Sequence, residues 1–498
     1  MRAVPRETDV VIIGSGFAGI GMGIALKQSG RHNFVILELA RDLGGTWRDN
    51  TYPGCACDVP SYLYSFSFAQ NPQWSRMFPP QQEIWDYLRG CVDTYRLGTH
   101  LTYDAEVTGA RYDEDAARWD VEVAGVGTIR ARVLVSGAGA LHVPHLPDLP
   151  GLPEFEGTAF HSSQWNHEHD LTGRRVAVVG TGASAVQFLP KIAPQVEHLT
   201  LFQRTPAWVT PKPNRRISRN ERDLYARRPI AQRVVRDLVY WALEARGAGF
   251  VWSPKAMGPL ERAARRHLER QVEDPGLRAT LTPDYQIGCK RVLLSSDFYP
   301  ALGRDNVSVV PAAVTEVRPR HLVSADGVAH EVDTIIFGTG FEVAGSLTQL
   351  SVVGRGGADL AKRWERAGAG AHLGITVAGF PNLFLLLGPN TGLGHSSVVF
   401  MIESQIRYVV AALDLLDRRE AATMEVRPHV EQAFRAKTQS RLADTVWQAG
   451  CTSWYQDEHG RNVAIWPGFT WRYWLATRRV RSRQFLFRSA AGCQEPMQ

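Results

Sequence analysis

The sequence predicts an α/β protein, and three features carry that prediction. An apolar strand near the start of the chain, Val10–Ile13, runs directly into a glycine-rich turn and a segment with helical periodicity. The same order returns at Val176–Val179, and a third apolar segment, Asp333–Phe337, ends in Gly-Thr-Gly. Strands that alternate with helices and end in glycine turns are typical of parallel sheets that bind nucleotides. We therefore predict two Rossmann-like dinucleotide-binding domains.

The first glycine turn has the full pattern of a dinucleotide site. Gly14, Gly16 and Gly19 follow the strand, and a second strand ends on Glu38, about 20 residues further on as the pattern requires. The glycines permit a tight turn and let a pyrophosphate approach the amide groups of the helix N-terminus. A carboxylate at this position accepts hydrogen bonds from a ribose 2′-hydroxyl and repels a 2′-phosphate. This site is predicted to bind FAD or NAD rather than NADP.

The second glycine turn carries the opposite charge at its strand end. Gly180 and Gly182 follow the strand, and Ser184 in the first turn of the next helix is another expected cofactor-binding residue. The following strand ends on Arg204 and Thr205 instead of an acid. An arginine and a hydroxyl suit a 2′-phosphate, so this site is predicted to bind NADPH.

Together the two sites predict a flavoprotein that NADPH reduces. The FAD-binding domain is expected in two segments, residues 1–146 and 342–498, because the proline-rich stretch that follows Leu141 reads as a linker. The NADPH-binding domain is expected at residues 147–341. Its strands stop between about 211 and 284, which predicts a helical insertion packed on the core. The charged faces of these helices leave contact with a membrane surface as an alternative.

The composition excludes several other classes of protein. The 498 residues are 44% hydrophobic and 21% charged with a net charge of +6, and the basic residues are dispersed, so no nucleic-acid partner is predicted. Six cysteines neither make a disulfide framework nor show a zinc-binding spacing, and no metal is predicted. No apolar run approaches the roughly 18–20 residues needed to cross a bilayer. A charged start unlike a signal peptide favours a cytoplasmic location.

A glycine-rich loop, Gly44–Asp58, begins six residues after Glu38. Paired glycines and a proline exclude a long helix here. A loop that leaves this strand end can follow the cofactor towards its ring. We expect Gly45 to contact the cofactor, Trp47 and Tyr52 to wall the flavin, and Asp58 to reach the reacting atoms.

Two stretches resemble one family, the flavin-containing (class B) monooxygenases, and within it the type I Baeyer–Villiger monooxygenases. Residues 155–166, FEGTAFHSSQWN, are similar to the fingerprint Phe-x-Gly-x-x-x-His-x-x-x-Trp, and GGTWRDNTYPGCACD is similar to a second family motif. The matching positions of the fingerprint are Phe155, Gly157, His161 and Trp165. Asn166 departs from the pattern, which usually has proline or aspartate there. His161 is interpreted as a hydrogen-bonded structural residue on the linker between domains.

The resemblance implies the activity and the roles of further residues. It implies a monooxygenase that uses FAD, NADPH and O₂ to convert a small ketone into an ester or lactone through a C4a-peroxyflavin. Arg291 resembles the active-site arginine that stabilises the peroxide anion, and Asp58 resembles the carboxylate that orients it. Lys290, with Arg204 and Thr205, resembles the clamp on the 2′-phosphate. Trp454 resembles a tryptophan of the C-terminal segment that packs against the bound nicotinamide nucleotide.

Other activities differ in the residues that they require. A relative that oxygenates nitrogen or sulfur stays open as the alternative, although such enzymes need no arginine at this position and usually lack the tryptophan seen at Trp165. An NADPH-dependent disulfide reductase would need a Cys-x2-Cys or Cys-x4-Cys pair, and the sequence has none. A flavin-binding sensor without catalysis would not need a second nucleotide site.

Overall fold

The structure is a computed structural model, and it describes residues 5–252, 254–342, 350–448, 450–451 and 453–489. Two sheets organise the chain, a mixed one and a fully parallel one, and the alternation of strands and helices predicts their parallel strands. The first sheet has eight strands: β1 (Glu7–Ile13), β2 (Phe34–Leu37), β3 (Leu101–Thr102), β4 (Val107–Asp113), β5 (Arg118–Val123), β6 (Gly127–Ser136), β17 (Ser351–Val353) and β18 (Leu383–Leu385). Its order is β17-β4-β5-β6-β1-β2-β3, with β18 paired to β6. Because β17 and β18 come from the second half of the chain, this sheet joins two distant segments.

The second sheet has five strands and is parallel throughout. Its members are β7 (Thr158–His161), β8 (Arg175–Val179), β9 (His198–Phe202), β12 (Val307–Val310) and β16 (Thr334–Phe337). They lie in the order β12-β9-β8-β16-β7. Every residue of β16 is buried, as expected for an apolar strand in a sheet covered on both faces. The chain returns to the first sheet after β16.

Three small sheets complete the strands. One pairs β10 (Val209–Thr210) with β11 (Leu293–Leu294), and another is the meander of β13 (Val314–Arg318), β14 (His321–Ser324) and β15 (Ala329–Glu331). The last pairs β19 (Thr423–Val426) with β20 (Phe485–Arg488). We call the eight-stranded sheet with its helices the first unit and the five-stranded sheet with its helices the second unit. The β19–β20 pair holds β20 against the first unit.

The α-helices cover the sheets and form the insertion. Those that belong to the first unit are α1 (Phe17–Gln28), α2 (Thr46–Asp49), α3 (Gln81–Thr94), α10 (Leu360–Ala367), α11 (Val398–Arg418), α12 (Pro428–Ala443) and α13 (Thr470–Thr477). The second unit contains α4 (Ala183–Ile192) and α9 (Phe298–Leu302). The insertion consists of α5 (Arg219–Arg227), α6 (Pro229–Val251), α7 (Gly258–Gln271) and α8 (Pro275–Leu281). Across the described residues, none of the helices combines the length and apolar character needed to cross a bilayer.

One disulfide joins distant parts of the chain. Cys289 and Cys451 are bonded, with their Cα atoms 6.2 Å apart and a sequence separation of 162 residues. The sequence indicates only that a disulfide framework is absent and does not predict this pair. Cys55, Cys57 and Cys91 are buried free thiols, and Cys493 lies outside the described residues. The bond ties the segment before Arg291 to the segment that carries Trp454.

Candidate active site

The turn between β1 and α1 has the geometry of an anion site. Gly14 has φ +90°, and a side chain there would begin 2.8 Å from the carbonyl oxygen of Gly137. Only glycine therefore fits this position. The residue before α1 is Gly16, so no side chain caps the first helical turn. Its amide groups remain suited to a pyrophosphate.

Glu38, immediately after β2, is buried and closely surrounded by donors. Its carboxylate accepts hydrogen bonds from the amide (2.9 Å) and hydroxyl (2.6 Å) of Ser15, from the amide of Ala40 (3.1 Å) and from the guanidinium of Arg48 (2.6 Å). The sequence predicts the acid but not these partners. They hold the carboxylate in one orientation at the strand end.

The loop that follows Glu38 folds back over the first glycine turn. A side chain on Gly45 would begin 3.5 Å from the Cα atom of Gly16, so the two glycines lie against each other. Trp47 is buried and donates to the hydroxyl of Tyr64 (3.1 Å), while its carbonyl accepts from Gln81. Gly45 and Trp47 thus lie beside the turn, and their contact with a cofactor stays a prediction.

The second glycine turn repeats the geometry of the first. Gly180 has φ +106°, and a side chain there would begin 2.7 Å from the carbonyl oxygen of Gly338. Gly182 precedes α4 and leaves its first turn without a side-chain cap. Thr205 follows β9 and accepts a hydrogen bond through its carbonyl from the hydroxyl of Thr181 (3.0 Å). This turn is equally suited to a pyrophosphate.

Arg204 and Lys290 bring two positive charges together at the second turn. Arg204 is exposed, and Lys290 lies with its ammonium 4.9 Å from the ring centroid of Tyr285. Burial lowers the pKa of Lys290, and the charge of Arg204 lowers it further. Two cations that repel each other fit an anionic ligand between them, since a 2′-phosphate would relieve that repulsion.

Tyr52 lies against the second unit. Its hydroxyl donates to the side-chain oxygen of Gln187 (3.2 Å) and also bonds with Ser184, and its ring centroid is 6.0 Å from that of Phe188. The side chain of Gln187 further accepts from the amide of Ala56 (3.1 Å) and donates to its carbonyl (2.9 Å). Gln187 thus holds the loop two residues before Asp58. Gln187 was not among the predicted site residues, although it lies one helical turn after Ser184 on the same face of α4.

Trp165 of the fingerprint also reaches Phe188. Its ring centroid is 5.3 Å from that of Phe188 and 5.3 Å from that of Phe160. The two sequence stretches that carry the family resemblance therefore meet at one side chain of α4. His161 ends β7, is buried, and bonds through Nδ1 with the hydroxyl of Ser163 (2.8 Å). Burial lowers its pKa to about 4, so it is neutral at neutral pH.

Arg291 and Asp58 form an ion pair between the two units. Nε of Arg291 donates to Oδ2 of Asp58 at 2.9 Å, and Nη2 donates to the same oxygen at 2.5 Å. The Asp58 charge raises the pKa of Arg291 above its already high value despite burial. Burial opposes ionisation of Asp58, but the charge and hydrogen bonds of Arg291 outweigh it and hold the pKa of Asp58 below its ordinary value. Both groups are therefore charged across the neutral range.

Two residues that the sequence analysis missed act electrostatically on this pair. Lys212 interacts with Asp58, which partly offsets the lowering of the Lys212 pKa by burial. Tyr455 is buried, its hydroxyl has no hydrogen-bond partner among the described residues, and burial raises its pKa to about 12 against the effect of Arg291. Trp454 is exposed beside it, with ring centroids 4.4 Å apart. Tyr455 could have been predicted from the sequence, because it directly follows Trp454, which was already a candidate site residue.

The fold and the site define a flavoprotein class with two dinucleotide sites and an arginine–carboxylate pair between them. Residues 11–223 match the family model described as pyridine nucleotide-disulphide oxidoreductase. A Baeyer–Villiger monooxygenase of Pseudomonas aeruginosa is 48% identical over 96% of this chain and 90% of its own length. The chain belongs to the Baeyer–Villiger monooxygenases, within the class B flavin monooxygenases.

Solved structures agree with that assignment. A cyclohexanone monooxygenase from Rhodococcus sp. Phi1 bound to NADP⁺ has a TM-score of 0.87 at 28% identity, covering 98% of this chain and all of that one (100%). OTEMO in complex with FAD and NADP has a TM-score of 0.88 at 26% identity, covering 97% of this chain and 100% of that one. The predicted fold class, family and activity, and the cofactors FAD and NADPH, are confirmed.

Proposed function

We propose that the Arg291–Asp58 pair is the catalytic centre of this monooxygenase and that its substrate is an apolar ketone, which becomes an ester or lactone. The single observation that carries the proposal is the pair itself. Oδ2 of Asp58, in the first unit, accepts hydrogen bonds from two guanidinium nitrogens of Arg291, which lies in the segment after the insertion. Such a pair is a fixed, permanently charged donor.

Each cofactor has residues that suit it. The uncapped first turn of α1 and the carboxylate of Glu38 suit FAD, and the uncapped turn of α4 with Arg204 and Lys290 suits NADPH. FAD, when bound and reduced by NADPH, supplies the activation of O₂. The protein then has to bind the ketone, orient its carbonyl group and stabilise the charge that develops on oxygen.

Arg291 supplies that stabilisation. Attack on a carbonyl carbon places negative charge on oxygen, and a prearranged donor lowers the barrier because it does not have to reorganise. The bonds to Asp58 use one proton each of Nε and Nη2, so both protons of Nη1 and the second proton of Nη2 are left for a reacting oxygen. Because Asp58 raises the pKa of Arg291, the guanidinium keeps its proton throughout the reaction. Asp58 orients the arginine and does not itself transfer a proton.

The side chains around the segment that precedes Arg291 favour an apolar substrate. A side chain on Gly288 would meet Met257, Phe250 and Val446 at 2.8 to 3.3 Å. These belong to a buried apolar cluster that also contains Ile287, Trp447 and Tyr455. Apolar surroundings of this kind favour a substrate with a hydrocarbon body, and Arg291 and Asp58 are the fixed polar groups beside them. The structural relative named for cyclohexanone is consistent with an apolar cyclic ketone.

The test is Arg291→Ala, assayed with a panel of apolar ketones and sulfides. Loss of one oxyanion donor costs about 100- to 1000-fold, so we expect ester formation to fall at least that far while the FAD content stays unchanged. NADPH oxidation should continue with release of hydrogen peroxide. Arg291→Lys should restore only part of the rate, because an ammonium lacks the planar fork.

Arg320→Ala is the matched control. Arg320 also pairs with a carboxylate from another element, Glu156, at 2.8 Å, but this pair is exposed. The control should keep the parent rate. Ester formation near the parent rate in Arg291→Ala would contradict the catalytic assignment. A parent enzyme that oxygenates only sulfides would contradict the ketone substrate.

We also propose a cytoplasmic location, which the buried free cysteines and the use of NADPH support. Disulfides are rare in that compartment, so the Cys289–Cys451 bond that the structure contains should be reduced to two thiols in the cell. Trapping of thiols during lysis, followed by mass spectrometry of the peptides with these cysteines, tests this. A fully oxidised pair in the cell would contradict the location.

A further inference from the structure

Helix α6 of the insertion is oriented with polar side chains inward. Gln232 donates to the carbonyl of Asn71 at 2.6 Å, and Arg236 donates to the carbonyls of Tyr62 (2.6 Å) and Ser65 (3.0 Å). Glu244 accepts from the amide (2.9 Å) and hydroxyl (2.7 Å) of Thr470. All three inward side chains are buried. These bonds fix the rotation of the helix, since breaking them would strand buried polar groups.

The outward face of α6 therefore carries a row of apolar side chains, flanked by the exposed charged residues Arg233 and Asp237. Ile230, Val234, Leu238 and Trp241 are 72%, 54%, 65% and 58% exposed, and their spacing places them on one side of the helix. We call these four residues the apolar stripe. Single exposed apolar side chains are ordinary, but a continuous row on a helix marks an interaction surface. The fixed rotation means that the stripe cannot turn inward to escape water.

Basic residues border the apolar stripe. Trp241 and Trp474 line one surface cavity of about 400 Å³. The guanidinium groups of Arg407 and Arg478 stack on Trp474, 4.9 and 5.3 Å from its ring centroid. Arg478 begins a run of four exposed arginines, the basic segment: Arg478, Arg479, Arg481 and Arg483. None of them has an ion-pair partner in the parts of the chain that the structure describes.

We propose that the apolar stripe and the basic segment together form a docking surface for an anionic lipid membrane. Exposed aliphatic and tryptophan side chains beside uncompensated arginines are suited to the boundary between acyl chains and anionic headgroups. A second copy of the chain fits less well, because a symmetric interface around the stripe would bring two basic segments towards each other. The surface binds at the membrane face and does not span it. The proposal does not depend on the identity of the substrate.

The experiment is co-sedimentation of the FAD-loaded protein with vesicles of phosphatidylcholine alone and of phosphatidylcholine with phosphatidylglycerol. We expect binding to the anionic vesicles and little to the neutral ones. Binding should weaken between about 0.1 M and about 1 M salt, because screening shortens the reach of the arginines. Flavin absorbance in pellet and supernatant measures the partition and reports whether each variant is folded.

Two double variants separate the contributions. Leu238→Glu/Trp241→Glu should weaken binding by more than about 100-fold, from the lost burial of two large side chains. Arg479→Glu/Arg481→Glu should weaken it by about 25-fold or more, because each basic residue contributes roughly a factor of five. Val126→Glu/Val328→Glu is the matched control: it adds the same charge at exposed valines on two hairpin turns and should bind as the parent does.

Three results would overturn the proposal. The first is an absence of sedimentation with anionic vesicles. The second is vesicle binding that neither double variant on α6 and the basic segment reduces. The third is a dimer in sedimentation-velocity runs that Leu238→Glu/Trp241→Glu dissociates in a protein that does not bind vesicles, which would assign the apolar stripe to a second copy.

Discussion

The two glycine turns have nearly the same backbone, but the charged residues at their strand ends have different surroundings. In the first, Glu38 is buried and accepts four hydrogen bonds from its own unit. In the second, Arg204 is exposed and repels Lys290. The first site is organised by the protein itself, whereas the second becomes electrostatically favourable when an anion arrives. This difference suits a cofactor that stays bound and one that is exchanged in each turnover.

The largest expected effect is the loss of FAD, the cofactor that stays bound. Gly14→Ala would place a Cβ 2.8 Å from the Gly137 carbonyl at φ +90°, so we expect a protein that no longer holds FAD and is colourless. Gly30→Ala is the control, because Gly30 also has positive φ (+78°) but nothing within 4 Å of its would-be Cβ. Its cost should be only about 1 kcal/mol of stability. Flavin absorbance after gel filtration measures both, and normal flavin content in Gly14→Ala would refute the assignment.

The second effect concerns NADPH, the cofactor that is exchanged in each turnover. Arg204→Ala should raise the KM for NADPH by about 10- to 100-fold, the value of a charge-assisted contact of roughly 1.5–3 kcal/mol, and leave that for NADH nearly unchanged. Removal of the neighbouring cation should also raise the pKa of Lys290 towards its ordinary value. Arg304→Ala, an exposed arginine before β12, should change neither constant. Equal changes with both nucleotides would exclude Arg204 from the 2′-phosphate site.

A smaller effect is expected where the units meet. Gln187→Ala removes three hydrogen bonds to Tyr52 and Ala56, at a cost of about 1–3 kcal/mol for the groups left unpaired. With Asp58 less well held, the share of NADPH oxidation that yields ester should fall several-fold in favour of hydrogen peroxide. The KM for NADPH should change little. Lys191→Met on the same helix, which loses an exposed pair with Asp297 but keeps an aliphatic stem against Gly54, is the control, and an unchanged product ratio in Gln187→Ala would count against this role.

The smallest effect is on the free energy of unfolding in acid, to which one histidine of each unit should contribute. Burial lowers the pKa of His161 in the second unit and of His372 in the first to about 4. An unfolded histidine, with a pKa near 6.5, binds its proton first. Stability is therefore lost as pH falls from about 6.5 towards 4, by about 2 kcal/mol per histidine at pH 5.

The corresponding measurement is the Tm at pH 7.5 and at pH 5. His161→Gln should show a smaller drop than the parent protein, by a few degrees, because one of the two linked protons is absent. His459→Gln, at an exposed histidine, should behave as the parent does. An identical drop in His161→Gln and the parent would mean that His161 titrates as an exposed residue.

Local patterns made much of this structure predictable. The glycine turns, the strands beside them and the acid or arginine at each strand end are set within about 30 residues of sequence, and the structure has them where the pattern indicates. The domain limits and the cofactor contacts of individual residues remain predictions. The family resemblance named Arg291 and Asp58, and the structure brings them within hydrogen-bond distance.

The features that were missed depend on contacts between distant segments. Gln187 matters only because the loop at Tyr52 returns to α4, and Cys289 meets Cys451 across 162 residues. The helices of the insertion were expected to pack on the core, with contact of their charged faces with a membrane as the alternative. In α6 the buried side instead takes Arg236 and Glu244, because carbonyls and a hydroxyl of the first unit lie opposite them. Periodicity alone cannot indicate which face of a helix meets such partners.

The bonds of Gln187 to Tyr52 and Ala56 also set a rule for recombining this enzyme with its relatives. A chimaera that exchanged the five-stranded sheet alone would separate the loop from the helix it was selected with. The crossover points would then cut through the Phe188 contact with Tyr52 and Trp165 as well. A chimaera that keeps its activity should take residues 44–58 and residues 155–192 from the same parent, although about a hundred residues lie between the two segments.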